Sequence, residues 1–227
     1  MRLRFLFLIL CCLFTAKVEA QYLNPKILEK KVTIHSAALL PAKVEIVKES
    51  AKGSEMMVAE SADISKSVME AVDETLQGKK INVVPKSFEP TAMDDSRKYQ
   101  LADIQTRYDA LLPKLVKKSK DVKKARFTLG DEVMLLNVHK DADVIVFIRG
   151  SGRVFTKGKT AFSLINIFDL DFPFATITVG IVDARSGEVL AFTKPMTASS
   201  VLKDKKSLNK MIQKSLKKLP AAAADPR

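Results

Sequence analysis

The apolar positions of this chain recur with two periods, and the switches between them mark its elements. Residues 32–40 (VTIHSAALL) read as a strand ending at Pro41, which has no ladder donor. The stretch 41–54 reads as a polar loop with a short edge strand at Val44 to Val47. From Glu55 to Leu76 the residues Ile64, Val68, Val72 and Leu76 recur at every fourth position, which is one face of a helix, and Gly78 supplies its stop. Ile81 to Val84 is a β-branched strand closed by Pro85. A second helix is predicted from Ser96 to Leu112, with Tyr99, Ile104, Tyr108 and Leu111 toward one face and Pro113 kinking or ending it.

A basic run from Lys114 to Arg126 follows, and Asp131 is placed to cap a short helix through His139. Ala142 to Ile148 is the strongest strand signal in the chain. Gly150-Ser151-Gly152 then reads as a strand-end turn. Ala175 to Val182 and Glu188 to Thr193, joined by a Gly-containing turn, form a hairpin, and Asp204 to Leu219 is the last helix, with Leu208, Ile212 and Leu216 on its inner face. The order strand–helix–strand–helix–strand, then hairpin, then helix, predicts an α/β (α+β) fold: a mixed sheet with helices packed on it, in a single domain.

The N-terminal end has a different logic. Arg2 and Arg4 precede an unbroken apolar run from Phe5 to Phe14, and Val18-Glu19-Ala20 puts small residues at cleavage positions. The run is shorter than the about 20 residues of a membrane span. Residues 1–20 are therefore expected to be a signal peptide cleaved near Ala20, residues 21–220 the domain, and 221–227 a flexible tail. Cys11 and Cys12 both lie inside that run, so the mature chain would have no thiol, disulfide or Cys-ligated metal. Leu10 stands where a lipobox needs a small residue, which departs from a typical lipoprotein. The expected location is the periplasm or the extracellular space.

Charge adds a partner class. The whole chain carries +12, and residues 1–20 hold Arg2, Arg4, Lys17 and Glu19, so their removal leaves +10. An exported basic protein meets anionic lipid, cell-wall polymer or an acidic protein surface rather than nucleic acid. Lys117, Lys120 and Lys124 in the first basic stretch, and Lys203, Lys206, Lys210 and Lys214 at helical spacing in the second, are the candidate contacts for such a surface. The segment 153–174 is long for a connection and concentrates Phe155, Phe162, Phe168 and Phe172, the candidate partner contacts.

Catalytic chemistry is thin by comparison. His35 and His139 are the only histidines and lack an HExxH context or an evident partner. The pairs Asp141/Asp143 and Asp169/Asp171 have the spacing of oxygen ligands for a divalent metal. However, the first flanks a strand start, and the second alternates with Phe168, Leu170 and Phe172. Gly150-Ser151-Gly152 matches neither a nucleophile elbow nor a phosphate loop. No catalytic residue, metal or cofactor is expected.

Taken in order, Leu39-Leu40-Pro41, the helix closing at Gly78, Val83-Val84, Asp141-Ala142-Asp143-Val144-Ile145-Val146 and the hairpin Val182-Asp183-Ala184-Arg185-Ser186-Gly187-Glu188-Val189-Leu190 resemble a family. It is the α/β domain of bacterial envelope proteins related to the curli-secretion lipoprotein CsgG, the N-terminal domain of TolB and the penicillin-binding-protein activator LpoB. The resemblance covers residues 32–220. It implies a non-enzymatic domain that binds an envelope protein or self-associates, with no shared catalytic residues to carry over. The alternatives are a basic protein bound to anionic membrane or cell wall, or an unrecognised hydrolase.

Overall fold

The computed structural model describes residues 21–50, 52–84, 88, 93–155, 174–198 and 204–222, with backbone alone at 155, 174, 175, 197 and 198. Its strands are β1 (Gln21–Leu23), β2 (Ser36–Leu39), β3 (Lys43–Ser50), β4 (Gly53–Met56), β5 (Asn82–Val83), β6 (Val144–Phe155), β7 (Phe174–Asp183), β8 (Val189–Thr193) and β9 (Met196–Ala198). Its α-helices are α1 (Pro25–Leu28), α2 (Val58–Gln77), α3 (Asp95–Lys117) and α4 (Lys205–Ser215). The nine strands among the described residues form one mixed sheet, six of them in the order β1-β8-β7-β6-β2-β5. Strands β2 and β3 lie one after the other along the same edge of β6, both parallel to it, and β4 pairs antiparallel with β3 beyond. Similarly, β8 and β9 lie in succession along β7.

Alternation along the two central strands builds two cores. Val144, Val146, Ile148, Ile177, Val179 and Ile181 point to one face, where Val68, Val72 and Leu76 of α2 and Leu208 and Ile212 of α4 meet them. Ile145, Phe147 and Val182 point to the other, under Leu101, Ile104, Tyr108 and Leu115 of α3. The predicted faces of α2 and α4 are those observed. Asp204 caps α4, its carboxylate accepting from the Lys206 and Ser207 amides.

Several expectations are corrected. The first strand covers only Ser36–Leu39, because the Val32 amide instead bonds back to the Lys26 carbonyl at 3.1 Å. The supposed polar loop at 41–54 holds β3, an interior strand with Val44 and Ile46 buried, and the edge strand β4. Helix α2 consequently starts at Val58, after β4. It ends at Gly78 in right-handed geometry, and the turn that follows takes its positive φ at Lys80. Pro113 lies inside α3: it removes one donor, yet the buried Leu115 beyond it keeps the last turn on the core. Tyr99 is 77% exposed, and Leu101 takes the place expected for it. Residues 131–136 and 138–140 form two 3₁₀ turns in place of one helix, and Asp131 makes no cap. Gly150-Ser151-Gly152 is not a turn but the middle of β6, paired on both sides. A Cβ at Gly150 would lie 3.0 Å from both the Thr176 carbonyl and a Val44 methyl, so close strand approach selects glycine there.

The hairpin of the family resemblance has a physical basis. Asp183 Oδ1 accepts from the amides of Arg185 and Ser186 at 3.0 and 2.7 Å, closing the turn. Gly187 has φ +69°, and its missing Cβ makes room for the Gly130 backbone. Glu188 accepts from Asn24 Nδ2 and pairs with Lys26, which ties β1 and α1 to the same turn.

Candidate functional site

The alternation that puts Ile145 and Phe147 under α3 carries Arg149 to the same face, two residues further along β6. Its side chain is only 5% exposed. A buried guanidinium is tolerated only when it is paired and hydrogen-bonded, and the surroundings are built accordingly. Arg149 Nε donates to Asp109 Oδ1 of α3, and Nη1 donates to the Ile148 carbonyl at 3.0 Å. The rings of Tyr108 and Phe147 lie 5.6 and 5.9 Å from its Cζ, within cation–π range. Those rings stack on each other with centroids 4.1 Å apart. Arg149 Nη2 is buried and has no hydrogen-bond partner among the described residues.

Around Arg149 opens a cleft of about 390 Å³ between the sheet and the C-terminal half of α3. Its floor is Lys43 and Glu45 of β3, Arg149 to Ser151 of β6, and Thr176 and Thr178 of β7. Leu112 and Val116 of α3, with Pro195, make its apolar wall. Lys43 Nζ lies 3.5 Å from Asp109 and 3.4 Å from Glu45. Two cations and two carboxylates thus alternate across the opening. Burial raises the Tyr108 phenol well above its ordinary range, against a smaller opposing pull from the Arg149 cation. That hydroxyl stays protonated and has no partner among the described residues. The arrangement can hold a polar ligand.

The residues singled out from sequence fall elsewhere. Lys117 ends α3 and Lys120 and Lys124 lie in the 3₁₀ turn at 119–124, all exposed, with Lys124 3.5 Å from Asp121. Lys206, Lys210 and Lys214 are exposed on α4. Because α3 and α4 cover opposite faces of the sheet, the two basic stretches belong to different layers. Phe155 ends β6 opposite Glu49. Lys203, Phe162, Phe168, Phe172 and the pair Asp169/Asp171 lie outside the described residues. Asp143 Oδ2 accepts from the amides of His35 and Ser36 at 2.8 and 3.0 Å, so it closes the start of β2. Among the described residues there is no group of three or more His, Cys, Asp or Glu able to hold a metal ion. No helix among them is long and apolar enough to cross a membrane. Sequence reasoning missed Arg149, Asp109 and Lys43, and placed Tyr108 on the inner face of its helix without a role at the cleft, although the period-two pattern of β6 contained a signal for Arg149.

The fold is that of a mixed-sheet α/β domain with helices on both faces and a charged cleft at the end of one of them. No family model matches the chain, and no curated protein does. Among solved structures it is similar to the PelC dodecamer from Paraburkholderia phytofirmans, at 12% identity and TM-score 0.36, over 83% of this chain and 89% of that one. It is similar to lipoprotein GNA1162 from Neisseria meningitidis at 12% identity and TM-score 0.36, over 80% and 95%. It is also similar to the LpoB C-terminal domain from Salmonella enterica at 11% identity and TM-score 0.26, over 76% and 91%. LpoB is one of the proteins its motifs resemble. None of these values carries a residue role or an activity across.

Proposed function

We propose that the protein is an exported domain that binds a protein partner or assembles with itself, without catalysis of its own. The observation that carries this reading is the open edge of the sheet at β4. Strand β4 pairs only with β3 among the described residues, and all of it is exposed. Met56 at its end is 45% exposed and Val58, which follows, 72%. An unprotected edge flanked by exposed apolar side chains is where another chain adds a strand. One strand further in, past β3, β6 runs on beyond Arg149 with Ser151 and Arg153 exposed, so one face of the sheet there also continues in the open. Export through residues 1–20 is part of the proposal. Gln21 is already buried in β1, with its Oε1 accepting from the Lys218 amide at 3.0 Å. The pairing of β1 with β8 and the bond from Lys218 lie wholly within the chain that cleavage after Ala20 would leave.

The test is light scattering of the mature chain, together with capture from an envelope extract. Assembly or capture is expected, and Met56→Lys with Val58→Lys should abolish it while leaving the circular dichroism spectrum unchanged. A strict monomer that captures nothing would overturn the reading.

A further inference from the structure

A native fold seldom leaves a buried charged donor unbonded, because the desolvated group has lost its water and gained nothing in return. Arg149 has such a donor: its side chain is 5% exposed, Nε and Nη1 are bonded, and Nη2 has no partner among the described residues. The same side chain lines a cleft of about 390 Å³, within the size range of small-ligand sites. We propose that this cleft is a binding site for a small carboxylate on an apolar stem, of the amino-acid type, for which the Arg149 guanidinium turns its unpartnered Nη2 toward the cleft and donates to the carboxylate.

The charge pattern selects that class. Lys43 lies 3.5 Å from Asp109 and 3.4 Å from Glu45, and Arg149 bonds Asp109, so the lining is balanced before any ligand enters. A dianion such as phosphate would bring two negative charges toward Asp109 and Glu45 with no unpaired cation of the cleft lining, among the described residues, to answer them. A monocarboxylate brings one charge to the Arg149 donor that has no partner among the described residues, in a charge-assisted hydrogen bond. An ammonium on the same ligand restores the balance, because Glu45 is half-exposed and retains acceptor sites. The hydroxyl of Ser151 borders the cleft on the sheet side, and Leu112 and Val116 of α3 give the stem an apolar surface.

This inference stands apart from the assembly reading, since a strict monomer can bind the carboxylate and an assembling chain can fail to. The test titrates the mature, isotope-labelled protein with leucine, N-acetyl-leucine, leucinamide and inorganic phosphate, following the amides of Arg149, Ser151 and Thr176 by NMR. Leucine and N-acetyl-leucine should give saturable shifts there, and leucinamide and phosphate should not. Glycyl-leucine separates the sources: saturation by it supports a peptide end, and saturation by leucine without it supports a free acid. Ser151→Leu, an exposed strand position, fills the cleft and should remove saturation with Arg149 in place. Arg149→Gln should weaken binding about tenfold, and Ser151→Leu decides alone if that variant does not fold. The proposal is overturned if neither carboxylate saturates by about 10 mM, if leucinamide or phosphate shifts the same amides as strongly, or if Ser151→Leu binds unchanged.

Discussion

Gly180→Ala places a methyl group where the Tyr108 hydroxyl now sits. A Cβ at residue 180 would lie 2.0 Å from Tyr108 Oη and 2.8 Å from its Cζ. The hydroxyl is the far end of a side chain, but this ring is fully buried and stacked on Phe147, with Arg149 over both. It cannot swing away without opening the core. The backbone at Gly180 does not have a positive φ, so alanine itself is unstrained and gains about 0.5–1 kcal/mol over glycine in a strand. Overpacking costs about 1–3 kcal/mol, and the net expectation is a loss of about 1–2 kcal/mol. Tyr108→Phe removes a hydroxyl with no partner among the described residues. That change should be neutral or stabilise by about 1 kcal/mol. With the oxygen gone, the nearest remaining atom is Cζ, so the double variant should recover about 1 kcal/mol relative to additivity. Urea denaturation followed by circular dichroism measures all four corners of the cycle. Additivity within about 0.5 kcal/mol, or a Tyr108→Phe variant that is clearly less stable than the parent, would refute the reasoning.

Gly187→Ala forces a side chain into φ +69° and brings its Cβ to 2.2 Å from the Gly130 carbonyl oxygen; a loss of at least about 2 kcal/mol is expected, read as a lower urea midpoint. Asp143→Ala leaves the His35 and Ser36 amides without their acceptor and should cost about 1–3 kcal/mol. Added magnesium or calcium should leave the parent's melting temperature unmoved, and a metal-dependent rise that Asp143→Ala abolishes would reinstate the metal reading. The Ser207 hydroxyl, then the Lys206 amide, hold the Asp204 carboxyl below its ordinary range. Its cap therefore contributes fully above about pH 4 and is lost only as pH falls through the depressed value; protection of the Ser207 amide that is already lost above about pH 4 would contradict this. Sedimentation with anionic and neutral vesicles tests the basic face of α4. Salt-sensitive pelleting with anionic vesicles alone, weakened when Lys206, Lys210 and Lys214 become Gln, is the expected signature of attachment, and equal pelleting with neutral vesicles removes it.

What could be read in advance was whatever depends on one element's own period. Val68, Val72 and Leu76 lie on the inner face of α2, and Leu208, Ile212 and Leu216 on that of α4, because a helix that buries one stripe must repeat it. The run from Val144 to Ile148 was legible as a strand for a similar reason: both its faces are covered, so every position is apolar. Properties set by neighbours distant in sequence were not legible. Val44 and Ile46 alternate with charged residues in a pattern that fits an edge strand as well as an interior one; only the partner decides, and that partner is the far half of β6.

One misplaced boundary accounts for most of what was missed at the site. Glycine after an apolar run is ordinarily a turn signal, so the sequence pattern places the strand end at Ile148. An arginine just past a strand end is a solvated loop residue that needs no partner. Extended through Gly150 and Gly152, the same strand keeps its alternation, and the position after Ile145 and Phe147 on the α3 side is Arg149. A charge at a covered sheet position requires a counter-charge, and one must then be sought on the covering helix. Asp109 follows Tyr108, already placed on that helix's inner face, and stands 40 residues from Arg149 in the chain. The buried ion pair was thus implied by the pattern once the length of β6 was known. That length depends on Val44 and Thr176 closing over a residue with no Cβ, a tertiary fact that no local period contains.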